Sequence, residues 1–220
     1  MLENTFLQVL NMSFIGSIVI LLILVARILL KKAPKIFSYA LWGVALFRLL
    51  FPFSFESVLS LIPVNPAPIS QDILYTNTPQ INSGIVGVDY FVNASLPTGK
   101  TIYESVNTMQ MWISVGSILW IVGILVLLTY SVISLIKLKR KLKNAVHEVD
   151  NIYLSTLIDT PFVLGLIDSK IYLPMSLSKT EREYILLHEQ THIRRFDHIL
   201  RIVSYLALCI HWFNPFVWIG

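Results

Sequence analysis

Charge is scarce in this sequence. Asp, Glu, Lys and Arg make up 14% of its 220 residues, while 55% are hydrophobic. That balance excludes an ordinary water-soluble domain of this length, in which about a quarter of the residues carry charge. Cysteine is nearly absent: Cys209 stands alone, so neither an internal disulfide nor a Cys-x-x-Cys metal or redox motif can form. Its apolar surroundings suit a small buried hydrophobe. No basic residue precedes the first apolar run and no small-residue cleavage pattern follows it, which argues against a cleaved secretory leader. No internal repeat is visible.

What is present in abundance is uncharged apolar chain. Residues 6–26 and 111–136 contain no charged side chain, and each exceeds the roughly 20 residues that a helix needs to cross a bilayer core. A third run, IFSYALWGVALFRLLFPFSF (36–55), is interrupted only by Arg48, close enough to one end to reach an interface or a buried partner. A fourth, residues 202–220, lacks Lys, Arg, Asp and Glu but contains His211 and Asn214-Pro215; it either spans or lies buried against the bilayer.

Basic residues flank these runs unevenly. Arg27, Lys31, Lys32 and Lys35 follow the first, and Lys137, Lys139, Arg140, Lys141 and Lys143 follow the run ending at 136. Between 54 and 110, Lys100 stands against Glu56, Asp72, Asp89 and Glu104. Because loops rich in Lys and Arg stay on the cytoplasmic side, the expected topology is N-terminus outside, 27–35 inside, the long loop outside and everything past about 137 inside. The same clusters account for the net charge of +4, so no direct nucleic-acid partner is required. A channel or transporter would need ionisable groups facing one another within the spans, where Arg48 is nearly alone.

The outside loop, rich in Pro, Ser and Asn, favours turns over a packed domain. Residues 137–150 read as a helix leaving the membrane. In IYLSTLIDTPFVLGLIDSKIYLP (152–174), β-branched and aromatic residues broken by Thr-Pro, Gly and Asp-Ser predict a small sheet, with 162–166 pairing with 170–173 around Ile167-Asp168-Ser169. Ser178 with Glu181 three residues on forms a capping box that starts a helix expected over 179–196.

That helix carries the chemistry. His188 and His192, four residues apart, lie about 40° apart in azimuth and about 6 Å along the axis, so two imidazoles can point at one tetrahedral zinc. Glu189 follows His188 directly, placed to contact a water on the metal rather than the metal itself. Metal polarisation of a carbonyl, with a glutamate moving the proton of water, is the reason His-Glu-x-x-His serves zinc peptidases. The bland alternative is a solvated helix with incidental histidines, against which the capped helix and preceding strands weigh. A third protein ligand is required, and none stands out. On a continuous helix His198 is turned about 120° from His192 and Asp197 by a similar amount the other way, so each reads as a surface group or as a support behind a ligand. His211 either orients something in the site or is a hydrogen-bonded histidine in an apolar segment.

FRLLFPFS, TPFVLGLIDSKIYLP, ILLHEQTHIRRFDH and HWFNPFVW, in this order after two apolar runs, together resemble the bacterial antirepressor family of integral-membrane zinc metallopeptidases, the Bla and Mec beta-lactam sensor-transducer type. The resemblance covers essentially the whole chain. It implies His188 and His192 as zinc ligands and Glu189 as catalytic base. It also implies a cytoplasmic peptidase that relays an extracellular signal, antibiotic or cell-wall stress, by proteolysis that relieves a DNA-binding repressor. The fold expected is a mainly α membrane protein with three to four transmembrane helices and a small α+β zincin-like cytoplasmic domain, incomplete at its C-terminus. Residues 1–55 would hold two spans, 56–110 the extracellular loop, 111–136 the third span, and 137–220 the partial peptidase domain, with 202–220 a candidate fourth span. The partners expected are the bilayer and a protein substrate, either a repressor or the chain itself, with a homodimer compatible. Family members continue past the Asn-Pro segment into a helix whose glutamate completes the zinc site, whereas this sequence stops at Gly220. A fragment of a longer product, or a truncated gene product that binds zinc weakly or not at all, is the expectation. Nothing here matches the penicillin-binding sensor domain. The competing reading is a non-catalytic membrane signalling or scaffold protein with a remnant metal motif.

Overall fold

A computed structural model describes residues 1–30, 34–52, 65, 67–74, 76, 79–96, 108–165 and 169–219, leaving aside the side chains of Lys35, Ile36 and Lys179. Lys31, Lys32, residues 54–64 and 97–107 of the 54–110 loop, Leu166 at the end of the expected strand, and Ile167 and Asp168 of the expected turn lie outside these residues. Among the described residues, six α-helices and four strands run in the order α1 (Leu2–Leu29), α2 (Lys35–Leu50), α3 (Val86–Ser95), α4 (Thr108–Lys141), β1 (Val146–Val149), β2 (Ile152–Ser155), β3 (Phe162–Leu164), β4 (Lys170–Pro174), α5 (Lys179–Arg194) and α6 (Asp197–Ile210). The chain divides into two compact units, one of residues 1–125 with 207–220 and the other of residues 126–206.

Helices α1 and α4 are long and apolar enough to cross a membrane, and Phe37–Leu50 is a shorter apolar helix. At 1.5 Å per residue, α1 reaches about 42 Å and α4 about 51 Å. Leu119, Val122, Leu125, Val126 and Tyr130 along α4 are exposed, an apolar stripe too extensive for a water-facing surface. The helix formed by the 36–55 run ends sooner than the run itself, at Leu50. Phe51 is extended (φ −116°, ψ 127°) because the ring of Pro52 disfavours the helical conformation in the residue before it. Residues 202–219 do not form one continuous helix: α6 covers 14 residues, about 21 Å, and a turn at 211–213 leads into a 3-10 segment, Pro215–Ile219.

In the first unit, Ile20 and Ile23 of α1 pack with Ala45 and Leu49 of α2 and with Val217. A second cluster joins Leu7 of α1, Ile73 and Leu74 of a 3-10 turn, and Ile113 of α4. The HWFNP segment ties this unit together through polar atoms. Asn214 Nδ2 donates to Ser13 Oγ (2.7 Å) and Ser17 Oγ (2.8 Å), and its Oδ1 accepts from the Phe216 amide (3.0 Å). Buried His211 donates from Nε2 to the Leu49 carbonyl (2.9 Å), satisfying an acceptor in the last turn of α2 that has no partner within its helix. Of the two readings open for His211, the hydrogen-bonded histidine in an apolar segment is the one observed. Trp120 Nε1 donates to the Ile210 carbonyl (2.7 Å) and Trp212 Nε1 to the Trp120 carbonyl (3.2 Å). Cys209 is buried, as its surroundings suggested.

The second unit is a four-stranded sheet, ordered β1-β2-β4-β3, with α5 packed on it. Strand β3 pairs antiparallel with β4 (Phe162↔Tyr172, Val163↔Ile171, Leu164↔Lys170), the expected hairpin, while β2 and β4 run parallel. Leu154, Ile171 and Leu173 are buried under Ile185, Leu186 and Ile193 of α5; a side chain of that size stabilises by about 1.5–3 kcal/mol when fully buried. Residues 145–150 are not the continuation of a helix: α4 ends at Lys141, a 3-10 turn follows, and Val146–Val149 is β1, an edge strand exposed along its length.

Candidate metal centre

Helix α5 begins where the capping box places it. The Ser178 hydroxyl accepts from the Glu181 amide, and the Glu181 carboxylate accepts from the Ser178 amide at 2.9 Å. The Ser178 hydroxyl also donates to that carboxylate (2.6 Å), and this bond first, then the one from the Ser178 amide, holds the Glu181 carboxyl below the usual carboxylate range. Arg182 fixes the same turn to the sheet: its Nε donates to the Leu177 carbonyl (3.0 Å), one terminal nitrogen to the Met175 carbonyl (3.2 Å) and the other to Glu148 of β1 (3.0 Å). Capped, clamped and packed on buried strands, α5 is a rigid support for side chains two turns further on.

Those side chains are His188, Glu189 and His192. The Nε2 atoms of His188 and His192 lie 3.2 Å apart, and the rings meet nearly edge to face at 84°. Two nitrogens held on tetrahedral zinc at about 2.0–2.1 Å are separated by about 3.3–3.4 Å, so the donor pair fits the ion with little adjustment. Glu189 lines the same cleft, of about 690 Å³. It shares that cleft with both histidines, as the spacing of the motif requires.

The structure differs from the expected helix at its end. Helix α5 stops at Arg194, and Phe196 takes up a left-handed conformation (φ 57°) before α6 begins at Asp197. The backbone turns sharply there, so the angular argument that pointed Asp197 and His198 away from His192 no longer applies. Asp197 comes back against α5, and its Oδ2 lies 2.6 Å from His192 Nδ1. His198 lines the cleft, with Nε2 3.5 Å from Ser169 Oγ. Among the described residues, no group of three or more His, Cys, Asp or Glu side chains is arranged to hold a metal ion. The Asp197 contact had one sequence signal: basic residues close a helix (His192, Arg194) and an acidic residue opens the next, the charge order that helix dipoles favour at a break.

The other wall of the cleft is Pro161–Gly165, which includes all of β3. This strand is last in the sheet order, so one of its edges has no strand partner among the described residues. Gly165, at φ 124°, ends it in a backbone conformation that side-chain-bearing residues rarely adopt. Lys139 and Arg201 add positive charge to the rim.

A helix bearing two convergent imidazoles and a carboxylate, packed on a small mixed sheet with an edge strand at the cleft, defines a peptidase-like unit joined to long apolar helices. The sequence matches the family described as BlaR1 peptidase M56 over residues 7–220, and the chain belongs to that family. It is similar to the methicillin resistance mecR1 proteins of Staphylococcus aureus and Staphylococcus epidermidis, 26% identical over 240 residues, covering 96% of this chain and 40% of those proteins. It is also similar to the regulatory protein BlaR1 of Bacillus licheniformis, 29% identical over 122 residues, covering 45% of this chain and 20% of that protein. The chain therefore spans well under half the length of these relatives.

Proposed function

We propose that the chain is the membrane-anchored zinc-endopeptidase portion of a sensor-transducer that relays an extracellular signal by cleaving a transcriptional repressor or itself. The observation that carries this reading is the 3.2 Å approach of the His188 and His192 Nε2 atoms in a cleft shared with Glu189. His188 and His192 would hold the ion. Bound zinc supplies a Lewis acid that polarises the scissile carbonyl and makes water a competent nucleophile near neutral pH. Glu189 accepts the proton of the attacking water and delivers it to the departing amine nitrogen, as the C–N bond breaks and a C–O bond forms. The edge of β3 can hold an extended peptide by adding it as a strand, which aligns the scissile bond along the cleft. The exposed apolar stripe of α4 and the length of α1 support insertion in the bilayer, and the basic clusters support a cytoplasmic peptidase unit with the N-terminus outside.

The relatives' names connect this family with methicillin resistance and regulation, which supports beta-lactam or cell-wall stress as the class of signal. The test is Glu189→Ala in the full-length protein in its native membrane. Zinc content is expected to stay at wild-type level while repressor cleavage and self-cleavage fall at least a hundredfold. Undiminished cleavage removes the base role. A second reading, a non-catalytic signalling scaffold, is favoured by the lack of a third ligand among the described residues. Absence of zinc from the full-length protein would leave it standing and remove the zinc reading.

A further inference from the structure

We propose that Asp197 is the positioning residue of the metal centre: it holds the His192 ring so that the bare lone pair of Nε2 faces the point shared with His188. The inference rests on the zinc reading and adds a residue outside the His-Glu-x-x-His motif. A neutral imidazole carries one proton, and whichever nitrogen holds it cannot bind a metal. The Asp197 Oδ2 atom, 2.6 Å from His192 Nδ1, accepts a proton held on Nδ1 and so leaves Nε2 free. The carboxylate is itself held in place. Asp197 is buried, and its second oxygen lies 3.9 Å from Arg195 Nε.

The helix break makes this contact possible. On an uninterrupted helix a residue five positions on is rotated about 140° and its side chain points elsewhere. Here the Arg195 amide closes α5 onto the Thr191 carbonyl (3.1 Å) and the Phe196 amide bonds the Ile193 carbonyl (3.0 Å). The left-handed residue then starts α6 at once, with the Phe196 carbonyl accepting from the Ile199 (3.0 Å) and Leu200 (3.1 Å) amides. Asp197 is thereby fixed from both sides, in the first turn of α6 and against the last turn of α5.

The experiment uses full-length protein in nanodiscs with nitrogen-15-labelled histidine, first metal-free and then titrated with zinc against a chelator of known affinity. In metal-free wild type, His192 is expected as the Nδ1–H tautomer. In Asp197→Ala it shifts to the Nε2–H form that free imidazole prefers, and zinc affinity drops about 10- to 100-fold with stoichiometry unchanged. Asp197→Asn keeps the size of the side chain but adds an N–H that can donate to Nδ1, so the Nε2–H tautomer and a loss of zinc affinity are expected there as well. If wild type binds zinc through His188 and His192 while Asp197→Ala keeps both tautomer and affinity, the positioning role is overturned and the zinc reading stands. If wild type binds no zinc, the zinc reading falls and this inference with it. If Asp197→Ala does not fold, Asp197→Asn decides: a His192 ring that keeps the Nδ1–H form and wild-type zinc affinity in that variant also overturns the proposal.

Discussion

Gly123 of α4 allows no side chain at all, and that can be measured. A Cβ built on it lies 2.2 Å from Trp212 Cε2, 2.4 Å from Nε1 and 2.5 Å from Cζ2. All three atoms belong to one rigid indole, so no methyl can rotate aside, and the whole ring must move. That motion breaks the Trp212 Nε1 hydrogen bond to the Trp120 carbonyl. Forced overpacking costs about 1–3 kcal/mol and the lost bond about 1 kcal/mol, so Gly123→Ala is expected to destabilise the first unit by about 2–4 kcal/mol. Gly16→Ala is the matched control. Its Cβ meets Leu49 Cδ2 at 2.6 Å, the free end of a flexible side chain, and about 1 kcal/mol or less is expected. Thermal or denaturant unfolding in detergent, followed by tryptophan fluorescence, separates the two. Adding Trp212→Leu to Gly123→Ala removes the clash, and a double-mutant cycle should return a coupling of about 1 kcal/mol or more. Equal stabilities for Gly123→Ala and wild type, or zero coupling, would refute the packing of the HWFNP turn against α4.

Phe196→Gly relieves about 1–2 kcal/mol of left-handed strain and adds about 0.5–1 kcal/mol of backbone entropy to the unfolded chain. With the ring 63% exposed, little burial is lost, so the variant should be slightly more stable and keep the His192–Asp197 contact, as read from unfolding midpoints and the His192 nitrogen shifts. Ser178→Ala removes the cap of α5 and is expected to cost about 1 kcal/mol of stability by denaturant unfolding. The Glu181 carboxyl is depressed in the folded state, so its contribution is fully present above the ordinary carboxylate range and is lost as pH falls through the lowered folded value. Ser178→Ala should raise that value toward the ordinary one, a shift that carbon-detected NMR titration of Glu181 measures directly.

The second unit was legible wherever local chemistry and periodicity agreed. Ser178 and Glu181 announce a helix start because only that pairing satisfies the free amides of the first turn, and the hairpin of 162–164 with 170–174 shows in its alternation and turn residues. Strand β1 was not legible, since an edge strand exposed on both faces has no apolar period to display and follows a basic helix without a break. The turn at Phe196 was hidden for another reason. Left-handed residues are normally signalled by Gly or Asn, and here a phenylalanine adopts that conformation under tertiary constraint. The early end of α2 was readable in principle from Phe51-Pro52, but the apolar run beyond it masked the boundary. Asp197 is the functional consequence of these misses: its partner follows from the break, and the break follows from packing.

The central claim is that two imidazoles on one helix share an ion. X-ray absorption at the zinc edge on the full-length protein tests it most directly, with His188→Ala and His192→Ala alongside. The account predicts about one zinc per chain with two imidazole scatterers at about 2.0–2.1 Å, one of them lost in each variant. A zinc-free protein, or a spectrum unchanged by both substitutions, would contradict it.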